Sequence, residues 1–112
     1  MMDLPKSNRS ITVMNFQVQT TAEFDAWLHS LADSVTRVRL ARRLDKATRG
    51  HLGDVKALGD GVWEMREFFG PGWRMYYAHR GSVLIVMLGG GDKDSQVRDI
   101  ARARQQARLF KE

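Results

Sequence analysis

Two arginines and two aromatic residues near the middle of the chain form the most suggestive chemical pattern in the sequence: Arg66, Phe68, Arg74 and Tyr76. They fall in two strand-like runs, Val62–Phe69 and Trp73–His79, separated by Gly70-Pro71-Gly72, which predicts a hairpin. With those three residues as the loop, Phe69 faces Trp73, Arg66 faces Tyr76 and Phe68 faces Arg74. Side chains alternate across a sheet, so Arg66, Phe68, Arg74 and Tyr76 share one face. Trp63, Met65, Trp73, Met75 and Tyr77 share the other, the natural core face. An uncovered face bearing two guanidinium groups and two rings suits RNA. Arginine grips phosphate bidentately, and aromatic rings stack on splayed bases. A plainer reading pairs Arg66 with nearby Glu64 or Glu67 in a surface salt bridge.

A second basic set lies upstream. Arg39, Arg42, Arg43 and Lys46 recur at i, i+3, i+4, i+7 and form a stripe along one side of a helix. The chain carries a net charge of +5, and the excess is concentrated in two segments. Residues 37–56 hold seven basic and two acidic groups, residues 93–112 six and three, and the rest is net negative. Clustered positive charge favours a polyanionic partner, because each neutralised phosphate releases counterions. A solvated basic helix face gives the same pattern.

The elements that must position these groups follow from periodicity. Ile11–Val18 reads as a first strand. Thr20-Thr21 then opens a helix whose Phe24, Trp27, Leu28 and Leu31 form an apolar stripe. Asp33 or Ser34 caps a second helix, which runs to about Thr48 and is closed by Gly50. Leu40, Ala41, Leu44 and Ala47 form its apolar side. After a glycine-punctuated stretch come the two runs above and a third, Ser82–Leu88, reached through the Arg80-Gly81 turn. A final helix carries Val97, Ile100, Ala103, Ala107 and Phe110 on its apolar side. The order β-α-α-β-β-β-α predicts an α+β domain with an antiparallel sheet packed by helices on one face. Gly89-Gly90-Gly91 lacks the Lys-Ser/Thr of a phosphate loop and reads as a strand-to-helix turn.

Composition bounds the class. A chain of 112 residues with 43% hydrophobic and 28% charged residues fits one globular domain, here 11–112, behind a flexible tail at 1–10. Without cysteine there are no disulfides or thiolate metal sites. The N-terminal ten residues lack the apolar stretch of a secretory signal, and the longest apolar run, Val83–Leu88, is too short for a bilayer. The expectation is a soluble cytoplasmic protein with no membrane partner. His29, His51 and His79 read as helix-surface, loop and strand-end residues.

Several blocks together resemble a known family: Gly53-Asp54-Val55-Lys56-Ala57-Leu58-Gly59, Gly61-Val62-Trp63-Glu64-Met65-Arg66, Gly70-Pro71-Gly72-Trp73-Arg74-Met75-Tyr76-Tyr77 and Leu88-Gly89-Gly90-Gly91-Asp92-Lys93-Asp94-Ser95-Gln96. Over residues 11–108 the chain is similar to HigB-like "addiction module killer" toxins of the RelE/ParE superfamily. The resemblance implies a RelE-like fold and the toxin of a type II toxin–antitoxin system. Its partners would be a cognate antitoxin, expected to be an adjacently encoded helix-turn-helix protein, together with the ribosome and mRNA. The implied activity is metal-independent mRNA cleavage by attack of the ribose 2′-hydroxyl, with no cofactor. Lys56 matches a family loop lysine, a candidate base or phosphate contact. Arg66 and Arg74 match strand arginines that stabilise the phosphate, and Lys93 falls near the basic residue after the last strand. Tyr76 would have to stand in for the base-stacking tyrosine that RelE carries in its final helix, since Asp94–Phe110 contains none. The basic stripe of Arg39, Arg42, Arg43 and Lys46 would contact ribosomal RNA. Two other readings stay open: a ParE-like inhibitor of DNA gyrase, and a degenerate module that only binds antitoxin or operator DNA.

Overall fold

Two short side chains fix where the first two helices begin. Thr21 accepts a hydrogen bond from Phe24 N at 3.0 Å and starts α1 (Ala22–Ser30). Asp33 accepts from Thr36 Oγ1 at 2.8 Å and from Val35 N at 3.2 Å, and starts α2 (Ser34–Thr48). Those two bonds, Thr36 first, hold the Asp33 carboxyl below the usual carboxylate range. The computed structural model describes residues 15–82 and 84–109. The expected N-terminal tail, the Ile11–Met14 part of the first strand and Phe110 lie outside the described residues.

Among the described residues five strands form one sheet: β1 (Gln17–Thr20), β2 (Val55–Gly59), β3 (Val62–Arg66), β4 (Arg74–Arg80) and β5 (Leu84–Gly91). Their spatial order is β1-β5-β4-β3-β2, with β1 parallel to β5 and every other pair antiparallel. The expected antiparallel sheet is thus corrected to a mixed one, because β1 runs parallel to its neighbour β5. The last helix, α3 (Gln96–Leu109), returns along the sheet. The α+β class stands, with three helices among the described residues.

Three more expectations are corrected. The segment expected as a loop around Lys56 is the edge strand β2, paired through the Asp60-Gly61 turn with β3. Asp60 there adopts φ 56°, the left-handed region its short side chain tolerates. Gly89-Gly90-Gly91 belongs to β5 instead of a turn. A Cβ on Gly90 would collide with the Trp27 ring, and one on Gly91 with Asp99, so these glycines let α1 and α3 approach the strand closely.

The third correction matters most for function: helices cover both faces. Phe24 of α1 and Leu40 and Ala47 of α2 pack on Met65, Met75, Tyr77, Ile85 and Met87. On the opposite face, Ala103 and Ala107 of α3 pack on Val62, Tyr76, Ala78, Val86 and Leu88. That second core is apolar enough to demand a cover, and the small alanines let α3 lie close. Val97, expected on the apolar side of α3, is 86% exposed. Among the described residues no helix is long and apolar enough to cross a membrane.

Candidate nucleic-acid interface

β3 ends at Arg66, so the connection to β4 is longer than three residues and the register moves. Arg66 pairs directly with Arg74, and Glu64 with Tyr76. The move is by two residues, which preserves the faces: Glu64, Arg66, Arg74 and Tyr76 do share one. Like charges directly opposite one another repel. Each arginine here has its own carboxylate. Arg66 Nη2 lies 3.0 Å from Asp54 Oδ1, and Arg74 Nε lies 3.6 Å from Glu64 Oε2. The hydrogen bond to Asp54 raises the Arg66 pKa further. The salt-bridge partner of Arg66 is thus Asp54, where the local sequence offered Glu64 or Glu67.

Access differs sharply along this face. Arg66 keeps 32% of its side chain exposed, and Phe68, just beyond it, is 76% exposed. The guanidinium carbons of Arg66 and Arg74 both stand 6.0 Å from the Phe68 ring centre. Arg74 itself is only 8% exposed, and Glu64 1%. Gln96, the first residue of α3, donates from Nε2 to Glu64 Oε1 at 2.9 Å and closes over the pair. Tyr76 is fully buried beneath α3 with no hydrogen-bond partner for its hydroxyl. Burial first, then the Glu64 charge, raises its pKa. Tyr76 cannot stack on a base. The exposed ring at this site is Phe68.

Both candidate lysines are exposed. Lys56 faces Glu64 across β2–β3, which makes it a diagonal neighbour of Arg66 on the same face, about 7–8 Å away. Lys93 comes in from the β5–α3 connection, its backbone N donating to Pro71 O at 3.4 Å. A Cβ on Gly72 would stand 3.4 Å from Lys93 Cβ and 3.6 Å from Arg74 Nη1. Arg66, Arg74, Lys93 and Phe68 therefore meet at one end of the sheet, with Lys56 at its flank.

The α2 stripe splits. Arg39, Arg42 and Lys46 are exposed, and Arg39 lies 3.7 Å above the Phe69 ring. Arg43 turns inward. It donates from Nε to Leu52 O at 2.9 Å, from Nη1 to Arg66 O at 2.9 Å and from Nη2 to Asp54 O at 2.7 Å, and it ion-pairs with Glu67. A side chain holding three backbone carbonyls ties the end of β3 to α2, so Arg43 is corrected from an RNA contact to a structural clamp. Gly53 makes room for it: with φ +73°, a Cβ there would meet the Arg43 guanidinium at 2.9–3.0 Å. Arg39, Arg42, Arg43, Lys46 and Glu67 line one shallow hollow of about 200 Å³.

Sequence reasoning offered Glu64 to Arg66 where the structure gives it to Arg74, and it missed the carboxylate of Asp54 and the amide of Gln96. Alternation already put Glu64 on the arginine face, whereas Asp54 and Gln96 required the placement of β2 and α3. The histidines stand apart: His29 Nδ1 is 2.9 Å from Asp25 O and His79 Nδ1 3.0 Å from Gly81 O. Among the described residues no three His, Asp or Glu side chains are grouped to hold a metal ion.

No family model matches the sequence. An uncharacterized protein of Haemophilus influenzae is 36% identical over 91 residues, spanning 81% of this chain and 92% of that protein. Among solved structures, a double arginine mutant of the Escherichia coli toxin RelE in its free state superposes with a TM-score of 0.61. That match covers 77% of this chain and 93% of the other at 17% identity, a likeness of fold.

Proposed function

The chain belongs to one family with the Haemophilus influenzae protein and has a RelE-like fold, and from that premise we propose that it is the toxin of a type II toxin–antitoxin pair, a HigB-like, ribosome-dependent mRNA endoribonuclease of the cytoplasm. The observation that carries this reading is the cationic end of the sheet, where the guanidinium groups of Arg66 and Arg74 both stand 6.0 Å from the exposed Phe68 ring and Lys93 comes in beside Gly72. Arginine presents a fork matched to phosphate oxygens, and an exposed ring offers a surface for a base.

In this mechanism the ribose 2′-oxygen attacks its own phosphorus as Lys56 takes the proton. Arg66 and Arg74 stabilise the charge that develops on the phosphorane oxygens. The bond to the 5′-oxygen breaks, and Lys93 supplies the proton to that leaving group. The products are a 2′,3′-cyclic phosphate and a 5′-hydroxyl. The nucleophile comes from the substrate, so the step uses no metal or cofactor. Phe68 takes the stacking role that buried Tyr76 cannot fill. Arg39, Arg42 and Lys46 contact ribosomal RNA, and an antitoxin encoded beside the toxin neutralises it.

One observation favours a second reading, a toxin that binds DNA gyrase or a module that only binds: both strand arginines already hold carboxylates, and Arg74 is nearly buried. Arg66→Ala distinguishes them. It should leave the protein soluble, lower mRNA cleavage by about a hundredfold or more and abolish growth arrest. Growth arrest by the parent protein with intact mRNA and altered DNA supercoiling would select the gyrase reading.

A further inference from the structure

Of the basic residues in α3 and the connection before it, Lys93 alone belongs to the site above. α3 runs the length of the covered face, from Gln96 beside Glu64 to Ala107, whose carbonyl accepts from Arg80 Nη2 at 2.8 Å. Arg74 and Arg80 bound β4, so the two ends of this face lie about 20 Å apart. At the far end Arg80, Arg104 and Arg108 surround a hollow of about 380 Å³, completed by Asp60 and Ala107.

The chemistry of this hollow is that of an anion site. Among the described residues three arginines and one carboxylate line it, and Arg108 presents its charge to solvent. Two of the arginines are held in place: Arg80 on Ala107 O, and Arg104 by Nη2 on Leu58 O at 2.7 Å. Anchoring one nitrogen fixes the rotamer and lowers the ordering cost of binding. Arg104 Nε is buried without a hydrogen-bond partner, and Arg108 is exposed. Tying carbonyls explains neither of these two features. Among the described residues Ala107 is the only apolar one lining the hollow, so a peptide would find little to bury against them, whereas a phosphodiester needs no apolar contact.

We propose that Arg80, Arg104 and Arg108 form a second phosphate site that holds the RNA backbone at the end of the molecule opposite the cleavage site. This rests on the reading of the chain as an RNA-cleaving toxin. The test uses the full chain and a labelled single-stranded RNA long enough to reach both ends, with affinity measured across salt concentrations. Arg108→Ala, an exposed change, should lower the salt slope by about 0.7 and weaken binding about tenfold. Arg104→Ala/Arg108→Ala should lower the slope by about twice as much. These losses should add to those of Arg66→Ala/Lys93→Ala, because the sites are far apart. Parent-like affinity and slope in both Arg108 variants, with RNA binding by the parent intact, would overturn this site and leave the toxin reading standing. A parent protein that binds no RNA at any salt would overturn this site, whereas the toxin reading, which places cleavage on the ribosome, falls only if the parent also leaves mRNA intact in growing cells. Loss of an acidic protein partner with unchanged RNA affinity would reassign the hollow and also overturn the proposal.

Discussion

Replacing Glu64 by alanine should destabilise the fold by about 3 kcal/mol, a figure that comes from what the carboxylate leaves behind. Glu64 and Arg74 have side chains 1% and 9% exposed, so the substitution strands a nearly buried cation. Removing one partner of a buried pair costs about 3–5 kcal/mol. The low end applies here for two reasons. The pair is long, at 3.6 Å, and Arg74 Nη1 keeps weak bonds to Trp73 O at 3.3 Å and Glu67 O at 3.4 Å. Two further losses act in the other direction: Gln96 loses its acceptor, and Arg74 faces Arg66 across the strands with less compensation. For a chain of this size the melting temperature should fall by roughly 15 °C. Glu64→Leu/Arg74→Met removes both charges and should recover most of that stability while losing RNA cleavage. Thermal and urea unfolding of the three proteins, followed by circular dichroism, measure the difference. If Glu64→Ala unfolds within about 1 kcal/mol of the parent, or the apolar double variant is no better than the single one, the buried pair does not hold this site together.

Adjacent arginines of α2 should behave oppositely. Arg42→Ala should leave urea unfolding unchanged and weaken ribosome binding, whereas Arg43→Ala, which strands three backbone carbonyls, should cost on the order of 3 kcal/mol; equal stabilities would remove the clamp role. Tyr77 gives a pH dependence. Burial raises its pKa to about 12, against about 10 in an unfolded chain. The folded state thus holds a proton that the unfolded state releases, and stability present below about pH 10 is lost as pH rises toward 12. Tyr76 and Tyr77 are the two tyrosines of the chain, so the phenolate absorbance reads them alone. Phenolate appearing near pH 10 in the still-folded protein would contradict their burial.

The helices were legible because their signals are local. Thr21 and Asp33 cap where a hydroxyl and a carboxylate precede apolar periodicity, and Phe24, Leu40 and Ala47 reach the core from the expected stripes. The faces of β3 and β4 were also legible, since alternation survives a register error of two. The pairing of Arg66 with Arg74 was not, because it depends on how Glu67–Trp73 closes, with Glu67 N bonded to Trp73 O at 2.9 Å. β2 was hidden by its shortness, although Asp60-Gly61 is strong hairpin chemistry. The cover on the arginine face had a signal too: Leu84–Leu88 is apolar at every position, which a strand buried on both faces requires. Tyr76 as a stacking residue failed for that reason.

The cover also changes what the charge pattern means. An open arginine face would let a polyanion lie flat on the sheet, but α3 closes that approach and leaves the end near Phe68 and Gly72. There the two basic segments, far apart in sequence, come together. Arg43 ties the β3 end to α2 through Arg66 O and Asp54 O, and Glu67 borders the hollow formed by Arg39, Arg42 and Lys46. A strand of RNA entering at Phe68 would meet Arg66 and Lys93 on one side and the α2 stripe on the other. Nearly buried Arg74 then acts from behind that rim, which makes its orientation by Glu64 and Gln96 as important to the proposed chemistry as its charge.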